Sequence, residues 1–358
     1  MTLDNEQQLA AYAPEHRVLV LARAGSGKTT TLTARVQHLI ETLPITEQIV
    51  AITFTNLAAE EMKSRLADIP PNLFVGTIHS YANHLLISHG IKTYGIIQEE
   101  QFDKLFDLVK SYPFVINPVT HLLIDEFQDT SEQQLEFIDM INPTYLFAIG
   151  DDAQSIFSFN GSDVTRFRAT AFDDNWTIYR LKTNYRSGYE IVNFAQKFLT
   201  ADRYCLPNQV NCLPTNKGQV FTSELEFQDA VNFFLKVEDP GNWFILCRTN
   251  AEVDNFCTAF KRHSIPYATF KKRGLGKKDL EDILGSDKIK VLTVHTAKGL
   301  ESPKVWVEHF HPRESIDETA RLKYVAATRA REVLVWNYHP RRVKAKSRAA
   351  SIKTTNWS

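Results

Sequence analysis

Short apolar runs punctuate the chain, separated by stretches of helical spacing. Val18-Leu19-Val20-Leu21, Ile49-Val50-Ala51-Ile52, Leu122-Leu123-Ile124 and Tyr145-Leu146-Phe147-Ala148-Ile149 are almost continuously hydrophobic, which is how strands buried on both faces read. Between the first two, Leu32, Val36, Leu39, Ile40 and Leu43 recur at helical spacing and predict an amphipathic helix. The rhythm restarts at Trp243-Phe244-Ile245-Leu246, Ile289-Lys290-Val291-Leu292, Lys304-Val305-Trp306-Val307 and Val333-Leu334-Val335-Trp336. Alternation of this kind predicts an α/β protein of βαβ units around mainly parallel sheets. Two such units are expected in tandem, divided near Phe172–Ile178, where Asp173-Asp174-Asn175 breaks the pattern.

The length of 358 residues agrees with two domains at roughly 150 residues each. A hydrophobic share of 43% beside 23% charged residues excludes a disordered chain. No apolar run approaches the roughly 20 residues that cross a bilayer, and Met1-Thr2-Leu3-Asp4-Asn5-Glu6 lacks the basic and apolar regions of a secretory signal. No membrane contact and a cytoplasmic location, in a bacterium or a virus-infected host cell, are therefore expected. Cys205, Cys212, Cys247 and Cys257 have no CxxC spacing and are expected to be reduced and partly buried. The net charge of −1 argues at first against a nucleic-acid binder. Residues 1–178, however, carry 11 Lys+Arg against 23 Asp+Glu, whereas residues 179–358 carry 30 against 19. The neutral total hides an acidic half and a basic half, the latter ending in Arg341, Arg342, Lys344, Lys346, Arg348 and Lys353, which read as a solvated, disordered tail over 341–358.

Chemistry enters with Ala22-Arg23-Ala24-Gly25-Ser26-Gly27-Lys28-Thr29, which follows a predicted strand and opens a predicted helix. That context marks a phosphate-binding loop, although Ala22 stands where the strict pattern has Gly. Its glycines let consecutive N–H groups face a polyphosphate, Lys28 reaches the β- and γ-phosphates, and Thr29 can ligate Mg²⁺. Asp125 and Glu126 end the run Leu122-Leu123-Ile124. The first suits the metal shell and the second a general base for an attacking water. No nuclease, glycosylase or deaminase constellation is apparent, and His309 and His311 read as partly exposed rather than as ligands.

Further motifs follow in order: Leu3-Asp4-Asn5-Glu6-Gln7-Gln8, Thr53-Phe54-Thr55-Asn56, Gly76-Thr77-Ile78-His79-Ser80-Tyr81, Asp125-Glu126-Phe127-Gln128-Asp129, Gly150-Asp151-Asp152-Ala153-Gln154-Ser155-Ile156-Phe157, Thr183-Asn184-Tyr185-Arg186-Ser187, His295-Thr296-Ala297-Lys298-Gly299-Leu300-Glu301 and Tyr324-Val325-Ala326-Ala327-Thr328-Arg329-Ala330-Arg331. Together they resemble the UvrD/Rep-like branch of superfamily 1 DNA helicases. The resemblance implies two tandem RecA-like P-loop NTPase domains with an ATP cleft between them: 1–175 with the phosphate loop and metal carboxylates, and 176–340 with the arginine motifs. It puts ATP and Mg²⁺ on Gln7 (adenine edge), Ala24, Gly25, Ser26, Gly27, Lys28, Thr29, Thr30, Asp125, Tyr185 (base stacking) and Glu301 (ribose), with Glu126, Gln154, Arg186 and Arg329 acting beside Lys28 at the γ-phosphate. Phe54, Thr55, Asn56, Thr77, His79, Phe157, Phe159, His295 and Thr296 would contact a nucleic-acid strand. Arg23, Leu57, Phe159 and Ser302 depart from the residues common at their positions.

The implied activity is ATP-driven translocation on single-stranded DNA, with unwinding of tailed duplexes in the 3′→5′ direction, by a monomer. RNA as substrate stays open. In the resembling helicases two accessory insertions decorate the motor domains, but here Ser80 to Asp125 spans 45 positions and Arg186 to His295 spans 109, so both are absent or vestigial. That leaves room for a protein partner in their place, and for an alternative reading as a nucleotide-switched module that recruits or remodels a partner without processive unwinding. Lys271-Lys272-Arg273-Gly274-Leu275-Gly276-Lys277-Lys278 stands where the second insertion would leave and return, and either contacts phosphates or is a solvated loop.

Overall fold

The computed structural model describes residues 2–99, 101–158, 161–208, 210–213, 216–270, 276–308, 310 and 315–338. Phe159, Lys271 to Leu275, His309, His311 and the basic tail, all singled out above, lie outside the described residues. The chain divides into two units, one of Met1–Lys182 with Leu206–Gln209, the other of Thr183–Cys205 with Val210–Ser358.

In the first unit β1 (Arg17–Ala22), β2 (Ile49–Thr53), β3 (Leu73–Thr77), β4 (His121–Ile124), β5 (Tyr145–Gly150) and β6 (Thr177–Leu181) form one sheet in the order β3-β2-β4-β5-β1-β6. Every pairing is parallel. The continuous hydrophobicity of the strands follows from burial on both faces. Leu19, Leu21, Val50, Ile52, Leu122 and Ile124 pack on one side with Leu85, Phe106 and Phe137. Their sequence neighbours Val18, Val20, Ile49, Ala51, Leu123 and Phe147 pack on the other with Leu32, Val36 and Leu39 of the helix Lys28–Thr42. Each such side chain contributes about 1.5–3 kcal/mol.

In the second unit β9 (Gln219–Ser223), β10 (Trp243–Cys247), β11 (Tyr267–Ala268), β12 (Ile289–Thr293), β13 (Ser302–Val307) and β14 (Ala330–Asn337) give a second parallel sheet, ordered β11-β12-β10-β13-β14-β9. Two short strands, β7 (Thr183–Asn184) and β8 (Asn211–Cys212), pair beside it. Trp243, Ile245, Phe256, Phe260 and Trp306 fill its core. Both units thus match the expected α/β class with parallel sheets.

The division expected after residue 175 falls instead after Lys182, because Thr177–Leu181 pairs with β1 as the edge strand of the first sheet. At the edge of the sheet the strand is mostly only partly buried, with Ile178 packed on one face, Tyr179 and Leu181 on the other and Arg180 exposed, so Thr177-Ile178-Tyr179-Arg180-Leu181 lacks the apolar run that flags its neighbours. Asp173 to Asn175 is a turn feeding that strand, with Trp176 N–H donating to the Asp173 carbonyl at 3.0 Å. The four cysteines are free, Cys247 buried and the others partly so. No helix among the described residues is long and apolar enough to cross a membrane.

At the amino ends of the strands, Tyr145 is sandwiched between His16 (centroids 4.5 Å apart) and His121 (4.6 Å). Burial, with Arg35 nearby as a lesser cause, pushes the His121 imidazole down to about 4, and Glu47 Oε2, 3.5 Å from Nε2, does not offset it. A histidine held neutral in the fold stabilises above its unfolded value of 6.5 and loses that contribution as pH falls toward 4. Thermal unfolding followed between pH 7 and pH 4 should show a loss on the order of 2 kcal/mol that His121→Phe reduces. An equal loss in the variant would place the acid sensitivity elsewhere.

Candidate functional site

The first-half motifs reach one edge of the first sheet for a single topological reason. Parallel strands all end on the same side, and every motif of this half except that of residues 3–8, which lies ahead of β1, directly follows or ends a strand: the phosphate loop β1, Phe54 β2, Thr77 β3, Asp125 β4 and Asp151 β5. The crevice at the carboxyl ends of such strands is where ligands of open α/β sheets bind.

Gly25 (φ 76°) and Gly27 (φ 83°) adopt the left-handed backbone of the phosphate loop. A Cβ on Gly27 would stand 2.4 Å from Gln7 Nε2, so glycine is required twice over, by conformation and by space. Ala24 and Ser26 are buried; Ser26 Oγ donates to the Arg23 carbonyl at 2.7 Å and closes the turn. Lys28, Thr29 and Thr30 open the helix Lys28–Thr42 and are half-buried. Gln7 lies against the loop, its Nε2 donating to the Ser26 carbonyl at 3.1 Å while its Oε1 accepts from Asp4 N–H in a capping box. Its amide is therefore occupied in this structure, and reading an adenine edge requires it to exchange those partners.

Asp125, 8% exposed, follows β4 and its Oδ1 accepts from Glu126 N–H at 2.9 Å. Glu126 takes a left-handed backbone, φ 49° and ψ 43°, a conformation costing about 1–3 kcal/mol in a non-glycine residue and found where a site holds a side chain in place. Its Oε1 lies 3.8 Å from Lys28 Nζ, and its Oε2 accepts from Gln128 Nε2 at 2.5 Å. Gln128 turns its other end to Asp151 N–H, 2.9 Å away, and so joins the β4 motif to the β5 motif. Gln154, 3% exposed, donates to Asp151 Oδ2 at 2.7 Å. Thr29 and Asp125 have the oxygen donors a magnesium ion takes. No group of three or more His, Cys, Asp or Glu side chains suited to a metal occurs among the described residues.

Among the residues expected on a strand, Phe54 is 39% exposed and stacks on Phe157 at 5.4 Å, so each offers a base one free face at most. The hydroxyls of Thr55 and Thr77 cap the helices Asn56–Arg65 and Ile78–Ser88, accepting from Ala58 N–H and Ser80 N–H at 3.2 Å each. Thr293, outside the expected set, caps the turn bearing His295 and Thr296 in the same way. The signal for these caps was present as a hydroxyl residue ahead of each helix. Asn56 is exposed. His79 packs on Phe106, its centroid 5.0 Å away; burial lowers its affinity for a proton, opposed by Asp103 at 3.4 Å.

In the second unit, Glu301 and Arg329, two of the residues expected at the nucleotide, lie at the amino ends of strands. Glu301 precedes β13 and Arg329 precedes β14. Arg186 Nε donates to Glu301, and Arg331, which carried no assigned role, stands 3.8 Å from the same carboxylate. Tyr185 is 43% exposed. Arg329 is wholly buried, donating to the carbonyls of Val325 (3.0 Å) and Leu300 (3.2 Å) and to Thr328 Oγ1 (3.1 Å). A phosphate role would require it to give up those bonds. His295 and Thr296, by contrast, follow the carboxyl end of β12.

Residues 3–111 and 102–173 match the family model of the UvrD/REP helicase N-terminal domain, and residues 270–341 that of the UvrD-like helicase C-terminal domain. The chain is 26% identical over 291 residues to DNA helicase II of Haemophilus influenzae, covering 55% of this chain and 40% of that protein. It is 24% identical over 371 residues to the ATP-dependent DNA helicase PcrA of Leuconostoc citreum, covering 74% and 49%. A probable DNA helicase of Mycoplasma pneumoniae is 25% identical over 449 residues, covering 92% and 82%. The chain thus spans half or less of the first two relatives and most of the third.

Proposed function

We propose, for a chain that belongs to the UvrD/Rep-like branch of superfamily 1 helicases, that it hydrolyses ATP in response to single-stranded DNA and uses the cycle to move along the strand in the 3′→5′ direction. The observation that carries this is the gathering of the phosphate loop, Asp125, Glu126 and Gln154 at the carboxyl ends of the adjacent strands β4, β5 and β1. The loop amides and Lys28 hold the β- and γ-phosphates. Glu126 takes a proton from the attacking water, and Gln154 answers to the γ-phosphate. Thr29 and Asp125 would hold Mg²⁺, which offsets phosphate charge when bound. Arginines placed at a γ-phosphate stabilise charge on the transferring group. Arg186 and Arg329, borne on the second unit, are assigned that task, so that hydrolysis would alternate domain closure with release.

The test is ATP turnover with and without single-stranded DNA, followed by unwinding of duplexes tailed at either end. Strand-dependent turnover and unwinding only from the 3′ tail are expected. Turnover indifferent to DNA would refute the assignment. The short intervals before β4 and before His295 favour a second reading, a nucleotide-switched module that remodels or recruits a protein partner. Displacement of a protein block from single strands separates the two, because a switch without translocation leaves the block in place.

A further inference from the structure

Arg23 stands inside the phosphate loop at a position where the resembling helicases commonly carry another residue, and it is 5% exposed. Nη1 donates to Asp151 Oδ1 at 2.6 Å and to Asp152 Oδ1 at 2.7 Å, and Nη2 donates to the Leu206 carbonyl. Both carboxylates are fully engaged around it. Asp151 accepts from Gln154 Nε2 on its other oxygen, and Asp152 Oδ2 accepts from Arg168 Nε at 3.0 Å and from Leu206 N–H at 2.8 Å.

Leu206 is thereby held at both its N–H and its carbonyl, while its side chain, 4% exposed, joins the first core. Two residues on, Asn208 Nδ2 donates to the Leu21 carbonyl at 3.3 Å. The course of the chain gives this meaning. It leaves the first unit after Lys182, builds part of the second, returns for Leu206–Gln209 and departs again. One guanidinium therefore ties together the phosphate loop, the turn that bears Gln154 and the segment by which the second unit's chain comes back to the first.

We propose that Arg23 is a positioning residue: its fork fixes the Gln154 turn and the Leu206 return segment to the phosphate loop as one rigid clasp, so that the state of the loop reaches the chain leading into the second unit. Only a planar, multiply donating cation serves three acceptors in this way. Without it, Asp151 would lose the guanidinium it shares with Asp152, whose other oxygen keeps Arg168, and two adjacent buried carboxylates would hold less positive charge between them, an arrangement that favours rearrangement of the turn. Because Gln154 is assigned to the γ-phosphate and not to nucleotide affinity, loosening its turn should lower turnover more than binding. This last step rests on the ATPase reading above.

The experiment compares the whole chain with Arg23→Met, which keeps bulk and removes the fork, and Arg23→Lys, which keeps the charge on one atom. Amide hydrogen exchange is read at Leu206, Asp151 and Ala153 against Leu19 and Phe147 in the neighbouring strands. In Arg23→Met the first group should exchange about tenfold faster while the strand amides stay protected, and Arg23→Lys should recover part of that protection. In ATP hydrolysis, kcat should fall about tenfold with KM changed less than about twofold. Unchanged exchange at Leu206 overturns the clasp. Equal loss across β1 and β5 assigns Arg23 to general stability and overturns it too. Should Arg23→Met fail to fold, the same comparison on Arg23→Lys decides. If the unaltered protein hydrolyses no ATP, the ATPase reading fails, whereas the exchange measurements still judge the clasp.

Discussion

Replacing Glu126 with Gln should lower the turnover number for DNA-stimulated ATP hydrolysis by about 10³-fold, within the range removed with a general base, while leaving the protein as stable as before or slightly more so. The two halves of this expectation have separate causes. The amide keeps the shape of the carboxylate and can still meet Gln128 Nε2, 2.5 Å away in the unaltered protein, but it cannot take a proton from water. Stability should not fall, because the left-handed backbone at Glu126 stays as it is and one negative charge beside Asp125 disappears. A residue that strains the chain and crowds a carboxylate, yet costs nothing to neutralise, is placed for chemistry and not for folding. Single-turnover hydrolysis with saturating DNA and a thermal melt decide the matter. Turnover within tenfold of normal would remove Glu126 from the role of base, and a large drop in melting temperature would make it structural.

The residues of this site differed in how plainly the sequence announced them. That Lys28, Asp125 and Gln154 lie at one edge of the first sheet is legible because each follows an apolar run that reads as a doubly buried strand, and parallel strands carry whatever follows them to one edge; the role given to Gln154 rests on the resemblance. What stayed hidden depends on long separations or on half-covered elements. The bond from Arg23 to Leu206 joins positions 183 residues apart, and that from Arg186 to Glu301 joins positions 115 apart. Nothing local marks either one. β6 is expected in the second domain because its residues are mixed in polarity, as suits a strand mostly only partly buried, with Ile178 packing on one face and Tyr179 and Leu181 on the other. The hydroxyls of Thr55 and Thr77, expected to contact a strand, are engaged as helix caps, the role a hydroxyl residue directly ahead of a helix commonly has. Phe54 and Phe157 each read as a face for stacking, but no local signal marks that they stack on each other.

Lys28→Ala should have the second large effect, and of a different kind. Lys28 opens the helix Lys28–Thr42 directly after the left-handed Gly27, so it stands at a helix N-terminus, where free backbone N–H groups favour a bound anion. Its ammonium lies 3.8 Å from Glu126 Oε1, and under the proposed function it would neutralise the γ-phosphate when ATP is present and balance the carboxylate side of the site when it is not. Truncation should therefore raise KM for ATP as well as lower kcat, with kcat/KM down about 10³-fold or more, where Glu126→Gln acts on kcat alone. Binding of a labelled single strand, measured without nucleotide, should stay within about threefold because no strand contact is assigned to this lysine. The double variant should be scarcely slower than Lys28→Ala, since the two groups act on the same phosphoryl group and losses within one functional unit do not add. Independent, multiplying losses would mean that Lys28 and Glu126 serve separate steps, and the pairing across the loop would then belong to the resting protein instead of to the reaction.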